Sequence, residues 1–372
     1  MNRRDTAQSA PAALMSWDDV ARAIRLSRPI SRRALTHLAM RDRTLAGAVF
    51  EHCDFTGVDF AGSDLRRCTF VACTMTAVDL RGAVVDDTTF LQCPMDGARM
   101  PQGAPARIVL VECSLQASDW RGAHVERSAA TSCDFSASSF NAAHLERTAL
   151  WKPNLTGADL GGSKLDQVAL CDTDLRTTKL GGLKASQSAL MKNDFGGQAL
   201  AGVALYRCQL QGSDLRGADL TGADLTESGC IQVNFEGAKL DGLKATRSLF
   251  LSARFAASRV RDADFAGALF HAAVAEDIVF VGCGMREASW EKATLGRVGF
   301  AGCDMRDSRF DHASLADCDF DDVRLQRSGF HNVRLDRVRM RGVSRRGMRT
   351  TDQALLDVEA PTLALEDLPC AP

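Results

Sequence analysis

The stretch Ser213–Leu225, SDLRGADLTGADL, states nearly the same five residues over and over. Leucine returns at Leu215, Leu220 and Leu225, each preceded by Asp, with Ser or Ala one residue earlier. A five-residue period matches neither the roughly 3.6 residues of a helical turn nor the two-residue alternation of a strand. Working outward, every residue number divisible by five from Leu45 to Met340 holds Leu, Phe, Met, Val or Trp, except Pro105, Ala130, Ala185, Cys230, Ala245 and Ala275. Two residues before these centres the chain carries Ala, Ser, Thr, Cys, Val or Gly in 52 of 59 cases from Ala48 to Val338. No insertion or deletion breaks the register, so the repeat organises the chain.

One large and one small inward residue in every five suit a coil with short straight sides and a turn at each corner. The other three positions face water, where Asp, Arg, Lys and Gly collect. Glycine two residues after the centre, as at Gly62, Gly82 and Gly122, suits a corner where a side chain crowds the turn.

The pentapeptides ADLTG (218–222), SDLRG (213–217) and PNLTG (153–157) resemble the pentapeptide-repeat family, whose motif is A(D/N)LXX. The resemblance covers residues 45–343 and implies an all-β fold. That fold is a right-handed quadrilateral parallel β-helix (a solenoid) with four pentapeptides per coil. About 15 coils spaced by about 4.8 Å would make a rod roughly 70 Å long. Residues twenty apart should then share an environment. Cys53, Cys73, Cys93, Cys113 and Cys133 do, all at the small inward position of one side. At Ala185 and Ala245 the centre shrinks while the inward neighbour grows to Leu183 and Leu243, a volume exchange that a close-packed interior requires.

The ends depart from the repeat. Residues 1–44 read as a leader and a helical cap, with Ser16 as N-cap, Asp19 three residues on, and Val20, Ala23 and Ile24 on one face. A second short helix is expected within 31–40, using Leu35 and Leu38. After Met340 the register fails at RGVSRRGMRT, and 344–372 reads as a tail that docks back or binds a partner.

Across 372 residues, 45 Lys and Arg nearly balance 47 Asp and Glu, which argues against a nucleic-acid or membrane-surface protein. MNRRDTAQSAPAALMSWDD lacks the apolar segment of a secretory signal, and no apolar run approaches the ~18 residues of a membrane helix. A cytoplasmic protein with reduced cysteines is expected, with signal-less secretion left open.

Catalytic chemistry finds no foothold in the sequence. The cysteine ladder offers one thiol per coil in a line, whereas zinc needs four converging ligands. His124 and His144 stack in AHVERS and AHLERT, yet no third ligand is evident beside them. No phosphate loop, His-Glu helix motif or nucleophile elbow is present. Neither an enzyme nor a bound metal or cofactor is expected.

Surfaces remain. One side of the coil carries Arg107, Arg127, Arg147, Arg207 and Arg247 at its corner, a basic strip that Glu126, Glu146 and Asp166 would neutralise. The next side, with centres at 50, 70, 90 and onward, should be polar outside. Instead it carries Val49, Val71, Leu91, Val109, Val111, Trp151, Met191, Ile231, Leu249, Leu251 and Leu269. Such an apolar stripe points to a protein partner or a second copy of the chain, with Trp151 and Met191 as anchors. The expected function is a non-catalytic protein–protein interaction scaffold or adaptor. The family resemblance adds a secretion-system accessory, such as type VI, and as the alternative a DNA-mimicking modulator of DNA gyrase. Charge argues against mimicry: residues 45–340 hold 32 basic and 38 acidic groups. Duplex DNA carries one negative charge per about 1.7 Å, roughly 40 over the same length.

Overall fold

Each pentapeptide makes one straight side and one corner, and the corner is a matter of backbone geometry. The computed structural model describes residues 15–257 and 259–359, the side chain of Arg259 excepted. The second residue after every centre from Gly47 to Gly342, apart from Gln102 and Thr177, lies in the left-handed region, with φ between 48° and 76°. Glycine enters that region freely. Most corners nevertheless use Arg, Ala, Asp, Gln or Lys, so glycine is favoured there and not required. Thr177 is the one β-branched residue at such a corner, and it stays out of the region its Cβ substituents would make costly.

The residue before the centre can close the corner. Where it is Asp or Asn, its Oδ1 accepts the N–H two residues on, as from Thr56 to Asp54, Arg81 to Asp79, Thr156 to Asn154 and Arg216 to Asp214. These Asx bonds close the turn locally. At His144, Lys164, Val109 and Ala149 the side instead extends into a three-residue strand, as it also does at Asp319.

The small inward position has a second duty that its size alone does not reveal. Its hydroxyl or thiol donates to the carbonyl of the centre residue one coil earlier: Ser63 to Met40, Thr88 to Leu65, Ser138 to Leu115, Cys73 to Phe50 and Ser248 to Leu225. A buried donor and a buried acceptor satisfy each other across the stack. This is why Ser, Thr and Cys recur where Ala would fit.

The chain divides into two units, Met1–Asp194 and Phe195–Pro372, and each is wound from parallel β-coils of twenty residues. In the first unit, α1 (Trp17–Arg25) begins with the expected capping box between Ser16 and Asp19 and buries Val20. The helix rests on the opening coil: Arg43 stacks over the Trp17 ring at 4.6 Å, and His37 Nε2 meets the Met15 carbonyl at 3.0 Å. The helix expected within 31–40 is absent. Ile30, Leu35 and Met40 are instead buried centres of the first coil, and β1 (Ile30–Ser31) pairs with β2 (Val49–Glu51). Leu35 and Leu38 mimic helical spacing, but the five-residue register already runs through Ile30, Leu35 and Met40.

Two sides of this unit form sheets. The first continues from β2 through β3 (Thr69–Val71), β4 (Thr89–Leu91), β5 (Val109–Val111), β7 (Ala129–Thr131), β9 (Ala149–Trp151) and β11 (Ala169–Cys171). The second stacks β6 (His124–Glu126), β8 (His144–Glu146), β10 (Lys164–Asp166) and β12 (Lys184–Ser186). Every pairing joins residues twenty apart, the predicted coil length.

In the second unit, strands starting at 254, 274, 294, 314 and 334 form one ladder, and those starting at 259, 279, 299, 319 and 339 form another. Pairing continues past Met340, through Ser344 against Arg324 and Arg349 against Gly329. Arg345 and Thr350 occupy the last centres and are exposed. A terminal coil packs on one side only, so its centres need not be apolar, and the backbone of the coil before it carries the register on. A seven-residue helix, α2 (Gln353–Glu359), follows. The rest of the expected tail, 360–372, lies outside the described residues.

Candidate interaction surface

The outward residues flanking the centres of the β2–β11 side form two columns. One runs Val71, Leu91, Val111, Thr131, Trp151, Cys171 and Met191, the other Thr69, Thr89, Val109, Ala129, Ala149, Ala169 and Ala189. Neither column carries a charge from Thr69 to Met191, although Glu112, Lys152 and Asp172 stand at the corners of this side. At the strand spacing of about 4.8 Å, these uncharged columns extend roughly 30 Å. Trp151 is 50% exposed and Val109 36%, whereas Val71, Leu91, Val111 and Met191 are half-buried. The stripe is therefore less open than the sequence suggested, because side chains stacked one coil apart cover each other's flanks. Cys171, between Trp151 and Met191 in its column, is buried outright. Reading every twentieth residue would also have found Thr131 and the alanine run, which form a flat shelf beside Trp151.

In the second unit the same side carries Ile231, Leu249 and Leu251, all half-buried, and Leu269, which is 40% exposed. It turns polar at His271 and Glu291, whose side chains approach to 3.8 Å.

The arginines of the expected basic strip each stand beside a carboxylate. Arg107 forms a two-pronged pair with Asp87, Arg127 meets Glu126 at 3.2 Å and Arg147 meets Glu146 at 3.8 Å. Arg207 and Arg247 both reach Glu227, at 2.6 and 3.9 Å. The corner places each guanidinium within reach of an acid on its own or the adjoining coil, so the strip is locally neutralised. Further along, Arg327, Arg337 and Arg339 pair with Asp307, Asp317 and Asp319 one coil earlier. The Arg81 guanidinium holds Asp79 down at about 2, and Arg176 does the same for Asp174.

All twelve described cysteines are free and buried; Cys370 lies outside the described residues. Thiols of the Cys53–Cys133 column donate to carbonyls, for example Cys93 to Phe70 and Cys113 to Phe90. Burial pushes the Cys68 thiol up to about 12. Neighbouring thiols, and then burial, push Cys73 and Cys133 upward too. Cys73 and Cys133, held protonated in this way, are poor nucleophiles and poor metal ligands, whereas the hydrogen bond with Cys73 lowers Cys53 to about 7.

No described helix is long and apolar enough to cross a membrane. The family model for a pentapeptide repeat region matches residues 44–120 and 273–350, and that for pentapeptide repeats, in eight copies, matches 154–188 and 205–242. No curated protein matches the chain. Among solved structures, a trypsin-treated form of QnrB1, a plasmid-mediated fluoroquinolone resistance protein, is 20% identical over 54% of this chain and 88% of its own, with a TM-score of 0.31. HetL, a pentapeptide repeat protein involved in heterocyst differentiation regulation in the cyanobacterium Nostoc sp. strain PCC 7120, is 18% identical over 75% of this chain and 96% of its own, with a TM-score of 0.28. A pentapeptide repeat protein of the Arabidopsis thaliana thylakoid lumen is 18% identical over 44% of this chain and 66% of its own, at a TM-score of 0.14. With the five-residue register, the twenty-residue pairing and the family models all falling on the same residues, the chain belongs to the pentapeptide-repeat family.

Proposed function

We propose that the protein is a non-catalytic interaction scaffold whose first unit binds a protein partner through the apolar columns of the β2–β11 side. The observation that carries this reading is the absence of any charge from the two flanking columns between Thr69 and Met191, beside half-exposed Trp151, on a chain that is 25% charged. Water-facing sides of a solenoid gain nothing from such a composition, whereas a partner surface does. Trp151 supplies a large rigid anchor and Met191 an adaptable one. Ile231, Leu249, Leu251 and Leu269 are a second, smaller contact in the other unit. Family members are generally structural or interaction proteins, which agrees with a role outside catalysis. A secretion-system accessory is one setting for such a scaffold.

The test is a Trp151→Ser/Met191→Ser variant compared with wild type by affinity capture from the native host and by light scattering. Both side chains point outward, so the circular dichroism spectrum and thermal midpoint should be unchanged while a partner, or a dimer, is lost. Retention of every partner and of the oligomeric state would sink the reading. DNA mimicry is disfavoured because so many of the surface aspartates are already paired with arginine. Inhibition or protection of gyrase supercoiling at low micromolar protein would revive it.

A further inference from the structure

Among the described residues, two side-chain clusters bring a pair of histidines together with a glutamate, and their hydrogen bonding separates them. In the second unit, His312, His331 and Glu359 converge: the two Nε2 atoms lie 3.4 and 3.1 Å from one oxygen, Glu359 Oε2. Both Nδ1 atoms are already acceptors, His331 from the Asp352 N–H at 3.1 Å and His312 from the Asn332 side-chain amide at 3.1 Å. A neutral imidazole that accepts at Nδ1 carries its proton at Nε2, so His331 donates to Glu359 and the Nε2 of His312 faces the same oxygen. This cluster is a closed clasp that ties α2 to the last coils. A metal at either Nε2 would have to displace that proton and the bond it makes.

The cluster in the first unit is different. His124 and His144 stand in register on β6 and β8, with Glu146 diagonally across from His124. His124 Nε2 is shut off from water and has no hydrogen-bond partner, although Glu146 Oε2 is only 3.4 Å away. One ligand atom from each of the three residues lies within 4.8 Å of the other two. We infer that His124, His144 and Glu146 form a binding site for a first-row divalent cation of the zinc type. Two imidazoles and one carboxylate are the donor set such ions take, with the remaining positions left to water. Ligand atoms about 2.1 Å from a tetrahedral ion are roughly 3.4 Å apart, so the three groups must close by little more than an ångström.

The rings now stack with centroids 4.4 Å apart and planes 8° from parallel. An imidazole lone pair lies in its ring plane, and two parallel planes share no point. One ring therefore turns on binding, which the side-chain exposure of His124, 39%, permits. Facing groups set the electrostatics. Glu126 and Glu146 favour a cation, whereas Arg127 and Arg147 beside them and Lys164, in register with His144, oppose it. The ion would bridge coils twenty residues apart and stabilise the first unit by mass action. Because the ligating nitrogens must be unprotonated, affinity falls as pH drops.

The test uses the untagged full chain and Zn²⁺ alone, followed by calorimetry, with Co²⁺ absorption as a coordination readout. About one ion per chain is expected, and His124→Gln, His144→Gln and Glu146→Gln should each weaken binding at least about tenfold. His331→Gln should leave it unchanged. Circular dichroism verifies that each variant is folded; should a histidine variant not fold, Glu146→Gln and the ring resonances of wild type on adding Zn²⁺ decide the matter. The absence of saturable binding, its persistence in the folded His124→Gln/His144→Gln double variant, or its loss in His331→Gln would each overturn the assignment. These outcomes are independent of whether the apolar side binds a partner.

Discussion

Each unit buries a tryptophan at a centre, Trp120 in the first and Trp290 in the second, and only one has a partner for its indole N–H. Trp120 Nε1 donates to Ser118 Oγ at 2.8 Å, Ser118 meets Ser138 at 3.0 Å, and Ser138 donates to the Leu115 carbonyl at 2.7 Å. Trp290, stacked on Phe270 at 3.9 Å and fully buried, has no partner, because the position two residues earlier is Ala288. The small inward residue is thus a hydrogen-bonding residue as well as a spacer. Where it is Ala beneath an apolar centre nothing is lost; beneath a tryptophan a donor is stranded.

The interior pattern can be broken most severely at a centre. Leu220→Asp buries a charge with no partner and should cost more than about 4 kcal/mol, read as loss of the cooperative transition in thermal unfolding. A folded, native-like Leu220→Asp protein would mean that the centre is not interior. Next, Ser118→Ala should strand the Trp120 N–H and cost about 1–3 kcal/mol in denaturant midpoint, making the first tryptophan resemble the second. The converse, Ala288→Ser, should stabilise by about 1 kcal/mol; a destabilisation would show that the orphaned N–H costs less than the added hydroxyl.

Volume behaves as hydrogen bonding does. Leu183 compensates for Ala185, and both are buried, but Ser128 does not compensate for Ala130. A cavity of about 20 Å³ lined by Leu110, Trp120, Phe135 and Leu150 is left there. Ala130→Val should fill part of it and stabilise by about 1 kcal/mol, raising the midpoint without changing the spectrum.

The smallest effect belongs to the surface. Asp79 is held at about 2 by Arg81, below the ordinary carboxylate range near ~4. A depressed folded pKa gives stability that is present above that range and lost as pH falls from about 4 to about 2. Arg81→Gln should flatten this part of the pH–stability curve by slightly lowering the midpoint above pH about 4, while leaving the midpoint near pH about 2 unchanged.

What was legible follows the size of the physical penalty. A centre facing outward or a polar centre in mid-stack is expensive, so Leu215, Leu220 and Leu225 announced the coil and its period. The ends were harder. Ile30, Leu35 and Met40 belong to the register yet passed for a helix, since Leu35 and Leu38 have helical spacing. Arg345 and Thr350 hid the last coil, since a terminal centre packs on one side only. Glu146 as third neighbour of the histidines was also missed: it lies across two coils, and stacking only by twenties pairs it with Glu126.

By itself, the sequence determined the repeat, the coil length, the inward residues and the family, because each rests on a buried position that recurs and tolerates little. Tertiary structure alone decided which outward groups meet. It paired Arg107 with Asp87 and Arg207 with Glu227, closed Cys171 between Trp151 and Met191, and turned His124 toward Glu146. Outward positions cost little to change, so a twenty-residue column can be read from them but not which neighbours they meet. Their partners are set by the roughly 4.8 Å between coils and by the directions side chains take from each corner.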